Sequence, residues 1–271
     1  MKLLIITQAV DKNNPVLGFF HRWIEEFSKN FESIVVICLE KGEYDLPSNV
    51  KVFSLGKEKG ASKIKYLFNF YKHIWQEHKN YDAVFVHMNQ EYVLLGWKTW
   101  WLLGKKIYMW RNHGIGNWLT DLSALFCKKV FCTSGFSYTA KYKKTVIVPV
   151  GIDTDFFKPV EGILRKPHSI LFLSRMAPVK KPDVLLEVLK ILKENGVDFT
   201  ASFYGDPSSK DLEYYQSLKD KTKSYGLSSC VSFYFGVSND KTPAIYSAHD
   251  IFVNLSSSGM YDKTIFEAMM C

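Results

Sequence analysis

The chain has 271 residues, 35 basic against 27 acidic side chains, a formal net charge of +8, and 47% hydrophobic and 15% aromatic residues. That composition excludes a disordered chain, a collagen and a disulfide-stapled miniprotein. The length allows one large domain or two ordinary ones, each able to bury a core. No run of about 20 apolar residues is present to cross a bilayer.

The chain opens on an apolar run, residues 2–10, followed by polar residues 11–14. No longer apolar core and no small-residue cleavage site follows, so the run reads as a first strand rather than a secretory signal, and the chain is expected to stay in the cytoplasm. Further strands are predicted at residues 33–39, 51–55, 83–87, 106–110, 130–133 and 145–148, with helices at 18–29, 62–78 and 91–103 between them. Residues 151–167 hold Gly151, Pro159, Gly162 and Pro167 without regular periodicity, the composition of a connection. The alternation then restarts, with strands at 169–173, 199–204, 231–235 and 251–255 and helices at 182–195, 211–225, 243–248 and from Asp262 on.

Strand–helix alternation on this scale implies parallel sheets covered by helices on both faces. Two doubly wound domains are therefore expected, residues 1–155 and 168–271, joined through 156–167. The second reads as unfinished, since the sequence stops at Cys271 in or just after a helix. A truncated chain, or one completed by a partner, is the expectation.

Charge divides unevenly. The first 150 positions hold 21 basic and 12 acidic residues, a net of +9, and the remainder 14 and 15. The densest basic stretch interleaves Lys57, Lys59, Lys63, Lys65, Lys72 and Lys79 with Tyr66, Phe68, Phe70, Tyr71 and Trp75. It suits either a solvated helix with a buried aromatic face or an interfacial helix on an anionic membrane, with Trp97, Trp100 and Trp101 as a second anchor or as core. Nucleic acid is not expected as a partner, because no recognition motif accompanies the charge. The five cysteines are odd in number and lack metal-ligand spacing, so they read as buried free thiols. No metal is expected.

Ligands of open α/β sheets bind at the C-terminal ends of strands. Arg175 and Lys180 follow the strand at 169–173, just ahead of a helix, where two cations suit an anionic ligand and a diphosphate above all. Ser258 and Gly259 lie in a small-residue loop before the last predicted helix, where backbone amides can approach a phosphate or sugar. Asp262 stands as its N-cap, and Glu267 lies more than one turn inside it. Gly18 opens the first helix. His113 and His87 follow or end strands. No G-x-G-x-x-G, P-loop, H-E-x-x-H or G-x-S-x-G is present, so nicotinamide, kinase and hydrolase readings lack their parts.

Taken together these residues resemble the retaining glycosyltransferase family four of the GT-B fold. The resemblance rests on Ser174-Arg175 with Lys180 five positions on, on the stretch from Pro149 to Pro159, on Phe266-Glu267-Ala268-Met269-Met270-Cys271, and on Tyr204-Gly205-Asp206-Pro207 and Phe235-Gly236-Val237. One departure concerns the family's two glutamates eight positions apart: the second is Glu267, but Gly259 occupies the first position. Gly259-Met260-Tyr261-Asp262-Lys263 is similar to a Gly-x-x-Asp-Lys variant.

The resemblance implies two facing Rossmann-like domains and a UDP-sugar or GDP-sugar as substrate, with no cofactor. Arg175, Lys180, His113 and Glu267 would be catalytic. Arg175 and Lys180 would meet the diphosphate, Glu267 the ribose and His113 the donor sugar. Gly18, Gly205, Gly236, Val237, Ser258, Gly259, Asp262 and Lys263 would line the donor site. The acceptor would be a glycan or a lipid-linked sugar, with the protein cytoplasmic or peripheral on the inner face of a membrane. The rival expectation is an inert nucleotide-binding module, or a subunit that needs a partner.

Overall fold

The computed structural model describes residues 1–14, 16–256 and 261–271. It separates into two compact units, Met1–Pro149 and Val150–Cys271.

The first unit runs β1 (Lys2–Val10), α1 (Gly18–Asn30), β2 (Ser33–Lys41), β3 (Val50–Ser54), α2 (Lys63–Gln76), β4 (Ala83–His87), α3 (Gln90–Leu102), β5 (Lys106–Trp110), α4 (Trp118–Phe126), β6 (Lys129–Cys132) and β7 (Thr145–Ile147). Its sheet is wholly parallel, in the order β3-β2-β1-β4-β5-β6-β7, with Ile5 of β1 level with Val36 of β2 on one side and Phe85 of β4 on the other. Central strands of such a sheet are covered on both faces, which is why β1 and β4 are near-continuous apolar runs rather than alternating ones.

Alternate residues feed two cores. Leu4, Ile6, Val84 and Val86 pack with Phe70 and Ile74 of α2, Val93 and Trp100 of α3 and Ala124 of α4. Leu3, Ile5, Ala83 and Phe85 face the other way, onto Phe20 and Ile24 of α1. On that second face an apolar groove of about 340 Å³ runs beside α1, lined by Leu3, Trp23, Phe27, Phe85, Tyr108 and Phe131 among others. The tryptophan cluster of α3 divides: Trp100 is fully buried, Trp97 stacks on Phe126 at 4.1 Å, and Trp101 is exposed.

The second unit runs β8 (Lys166–Leu173), α5 (Pro182–Glu194), β9 (Thr200–Tyr204), α6 (Leu212–Ser224), β10 (Val231–Tyr234), α7 (Thr242–Ser247), β11 (His249–Phe252) and α8 (Lys263–Met270). Its sheet is parallel, in the order β10-β9-β8-β11. Ile170 and Phe172 of β8 pack on Leu185, Leu186 and Leu189 of α5 and Leu218 of α6. Leu171 and Leu173 face α7 and α8 together with Ile152, Phe156 and Phe157. The stretch expected to join the domains thus differs from expectation: its aromatic pair is part of the second unit's core, because two adjacent phenylalanines are too apolar to be left in a solvated connection.

Candidate functional site

In each sheet the chain winds outward in one direction and then crosses back, so strand order reverses between β1 and β4 and between β8 and β11. Ligand crevices of open α/β sheets form at the C-terminal ends of strands beside such a reversal. The loops leaving β8 and β11 carry Arg175 and Lys180 on one side and the segment up to Asp262 on the other.

After β8 the chain passes Ser174 and Arg175 and makes a single helical turn at Pro178–Lys180. Lys181 then adopts the left-handed region (φ 55°), a costly conformation for a residue with a side chain, and Pro182 opens α5. The bend leaves Lys180 turned toward the β11 loop. Its Nζ donates to Asp262 Oδ2 at 2.6 Å and to Ser256 Oγ at 3.1 Å. Asn254 Nδ2 donates to the same carboxylate oxygen at 3.1 Å and to Thr264 Oγ1 at 3.2 Å. Burial alone would raise the Asp262 carboxyl, but the Lys180 charge and these hydrogen bonds outweigh it and hold the group below the usual carboxylate range. An ammonium has three donors. Asp262 and Ser256 take two, which leaves one for a ligand among the described residues. Arg175 is exposed, and its guanidinium makes no ion pair or hydrogen bond among the described residues.

Asp262 occupies the N-cap position of α8 as expected, yet its side chain makes no capping bond, since the carboxylate is engaged by Lys180 instead. Glu267 is buried rather than on the surface. It accepts from the Tyr246 hydroxyl at 3.2 Å. Burial raises its carboxyl, against the opposing charge of Lys263 and the Tyr246 bond. Burial likewise lowers the Lys263 ammonium to about 8, with Glu267 opposing the shift. One turn of α8 therefore holds an acid and an amine inside the fold, each displaced toward its neutral form.

The glycines serve packing first. Gly205 has φ +146°, and a Cβ there would stand 1.9 Å from the Ser174 carbonyl oxygen. Its smallness lets the loops after β8 and β9 touch, with the Met176 amide donating to Asp206 O at 3.2 Å. The Gly236 amide, expected to line the donor site, donates to Asp206 Oδ2 at 3.1 Å, and Val237 is half-buried beside it. Gly18 in the first unit is also committed. Its amide donates to Asn14 O at 2.8 Å, and the Asn14 side chain accepts from the amides of Val16 and Leu17. The Gly18 amide itself is therefore engaged by the loop that precedes α1. Ser258 and Gly259 lie outside the described residues.

The two histidines part company. His87 is buried, stacked on Phe20 at 3.9 Å and within 3.2 Å of Thr7 Oγ1, so it is a core histidine and not a ligand-facing one. His113 is exposed in the loop after β5, its Nδ1 at 3.0 Å from both the Ile115 amide and the Ile115 carbonyl oxygen, which leaves Nε2 without a hydrogen bond among the described residues. Asn254, Thr264, Tyr246 and Asp206 escape sequence reasoning. Each acts by holding a predicted residue, and only Asp206 lay inside a motif. Among the described residues no cluster of three or more His, Cys, Asp or Glu is placed to hold a metal ion.

Residues 153–271 match the family model for glycosyl transferases, group 1. The chain is 27% identical over 146 residues to D-inositol 3-phosphate glycosyltransferase of Geodermatophilus obscurus, covering 49% of this chain and 32% of that protein. It is 28% identical over 144 residues to mannosylfructose-phosphate synthase of Agrobacterium fabrum, with the same coverage. The chain therefore spans about a third of the length of the curated relatives it matches. Among solved structures, HepE of Anabaena in complex with UDP superposes with TM-score 0.75 at 19% identity, over 100% of this chain and 79% of HepE. Sucrose-phosphate synthase of Thermosynechococcus elongatus superposes with TM-score 0.73 at 11% identity, over 99% and 79%. Fold and matches together define a GT-B glycosyltransferase fold. Within it, residues 153–271 are similar to the group 1 glycosyl transferases.

Proposed function

We propose that the protein is a retaining glycosyltransferase that moves a sugar from a nucleotide diphosphate sugar to a glycan or lipid-linked acceptor, in cell-envelope or extracellular polysaccharide synthesis on the cytoplasmic side. One observation carries the reading. A guanidinium without a partner among the described residues, Arg175, and an anchored ammonium, Lys180, stand at the strand ends beside the reversal of the second sheet, inside the stretch that matches the group 1 family.

In the proposed reaction the bond between the anomeric carbon and the diphosphate oxygen breaks, and its electron pair leaves with the diphosphate. Arg175 and the remaining Lys180 donor stabilise that charge as it develops. The acceptor hydroxyl attacks the face the leaving group vacates, and its proton passes to the departing phosphate oxygen. Glu267 is assigned to the ribose hydroxyls, held from behind by Tyr246, and His113 to the donor sugar through Nε2. Lys263 and the Gly205, Gly236 and Val237 backbone complete the assigned donor site. The two cations are assigned the whole of the charge stabilisation, so turnover is expected to survive a chelator.

The HepE complexes with UDP and UDP-glucose make UDP-sugars the first donors to test, followed by GDP-sugars. Nucleotide release from the accepted donor should fall about 100- to 1,000-fold in Arg175→Ala and in Lys180→Ala. Undiminished turnover in both variants would overturn the assignment. Calorimetric binding of the nucleoside diphosphate without turnover on any donor would favour a nucleotide-binding module that needs a partner.

A further inference from the structure

α2, α3 and α4 lie side by side on one face of the first sheet, and each turns a second apolar stripe away from it. On α2 the inner stripe is Phe70 and Ile74, both fully buried. Ile64, Phe68 and Trp75 point outward at i, i+4 and i+11, a single line along a helix, with exposures of 82%, 61% and 49%. α3 adds Trp101 and Leu102 past the buried Trp100, and α4 adds Trp118, Leu122 and Leu125 at i, i+4 and i+7. The stripes are neighbours: the Tyr71 hydroxyl of α2 donates to Leu95 O of α3 at 2.9 Å, and Trp97 of α3 stacks on Phe126 of α4. A contiguous exposed apolar surface shared by three helices is the kind of feature that marks an interaction face.

The charge around it is mainly positive. α2 carries Lys63, Lys65 and Lys72 and no carboxylate, and α3 carries Lys98. The carboxylates of the three helices are Glu91 and Asp121, and Asp121 is already paired with Lys141 at 2.7 Å. Lys65 lies 5.2 Å from the centre of the Phe68 ring, so charge and aromatic surface are interleaved. A two-fold pairing of this face with itself would set lysine against lysine. An anionic bilayer complements it, with tryptophan and lysine at headgroup level.

We propose that the outer face of α2, α3 and α4 docks the protein on an anionic lipid bilayer, its aromatic and aliphatic side chains entering the headgroup boundary and its lysines meeting lipid phosphates. The inference deepens the proposed function, in that a lipid-linked acceptor lies at such a surface. It rests on the first unit alone and is read by binding, so its failure leaves the sugar-transfer reading standing. No helix of the described residues is long and apolar enough to cross a membrane, so this is attachment in the plane of the interface.

The test is co-sedimentation of the full chain with phosphatidylcholine vesicles, with and without one third phosphatidylglycerol. At least tenfold stronger binding to the anionic vesicles is expected, declining as salt rises. Phe68→Glu with Trp118→Glu should reduce that binding at least tenfold with the circular dichroism spectrum unchanged. Lys65→Gln with Lys72→Gln, which leaves the apolar stripe intact, should weaken binding only where anionic lipid is present. Three results would overturn the proposal: equal binding to both vesicle types, anionic binding untouched by either pair of substitutions, or a self-associated chain in sedimentation that the glutamate pair returns to monomer.

Discussion

Lys180→Ala separates the two duties the structure gives this lysine. The Lys180 and Asp262 side chains are each 21% exposed, so their ion pair lies largely out of water. Removing one partner of a fully buried pair costs about 3–5 kcal/mol. Here the residual exposure and the bond from Asn254 to Asp262 moderate the loss, and about 2 kcal/mol is expected. For a unit of this size that is roughly 5–10 °C in melting temperature. All seven tryptophans lie in the first unit, so their fluorescence follows that unit alone, whereas far-ultraviolet circular dichroism reports both. Lys180→Ala should lower only the transition that the tryptophans do not see. The sign of the pH dependence follows from Asp262, whose carboxyl is held below its unfolded value. Its stabilisation is complete above about pH 4 and is lost as pH falls through the folded value. The gap between wild type and variant should therefore hold from pH 7 down to pH 5 and close in acid. A second-unit transition unmoved by the substitution at pH 7, or a gap that widens in acid, would refute the reasoning.

Arg175→Ala is the contrast: with no partner to lose among the described residues, the variant should melt with wild type while turnover falls as above, and a melting point several degrees lower would assign Arg175 a structural bond. Gly205→Ala should cost more than about 3 kcal/mol, because the new Cβ meets the Ser174 carbonyl in a backbone region hostile to side chains; loss of the second-unit transition with the tryptophan transition intact is the check. Tyr246→Phe removes the donor to a buried carboxylate and should cost about 1–2 kcal/mol in urea unfolding at pH 7. Since burial raises the Glu267 carboxyl in the fold, that loss should shrink as acid protonates it.

The elements most legible in the sequence are those whose surroundings are uniform. The strands predicted at 83–87 and 106–110 coincide with β4 and β5, interior strands flanked by polar turns. β11 was displaced: the apolar run at 251–255 drew the prediction past its end, while the observed strand is His249–Phe252, with a register shift between His249 and Ile251. α4 was not anticipated, although Asn117 and Thr120 form a capping box at its start. Its buried residues are Thr120, Ser123 and Ala124, while Trp118, Leu122 and Leu125 face outward. A periodicity rule that assigns the apolar stripe to the core finds no helix there to orient.

The site was legible as positions and not as partnerships. Strand ends select Arg175, Lys180 and the loop before α8 without any knowledge of packing, because parallel topology alone brings those ends to one edge. What binds Lys180 to Asp262 is a contact across 82 positions, and nothing in either local stretch announces it. The same limit explains Glu267 and Lys263. Their i, i+4 spacing is visible in the sequence and would ordinarily describe a solvated ion pair, in which both groups keep their charge. Burial beneath Tyr246 and α7 reverses that inference and moves each group toward neutrality. At about 8 the Lys263 group is still mostly an ammonium at neutral pH, so the shift shows as a loss of its charge only in alkali, earlier than for an exposed lysine.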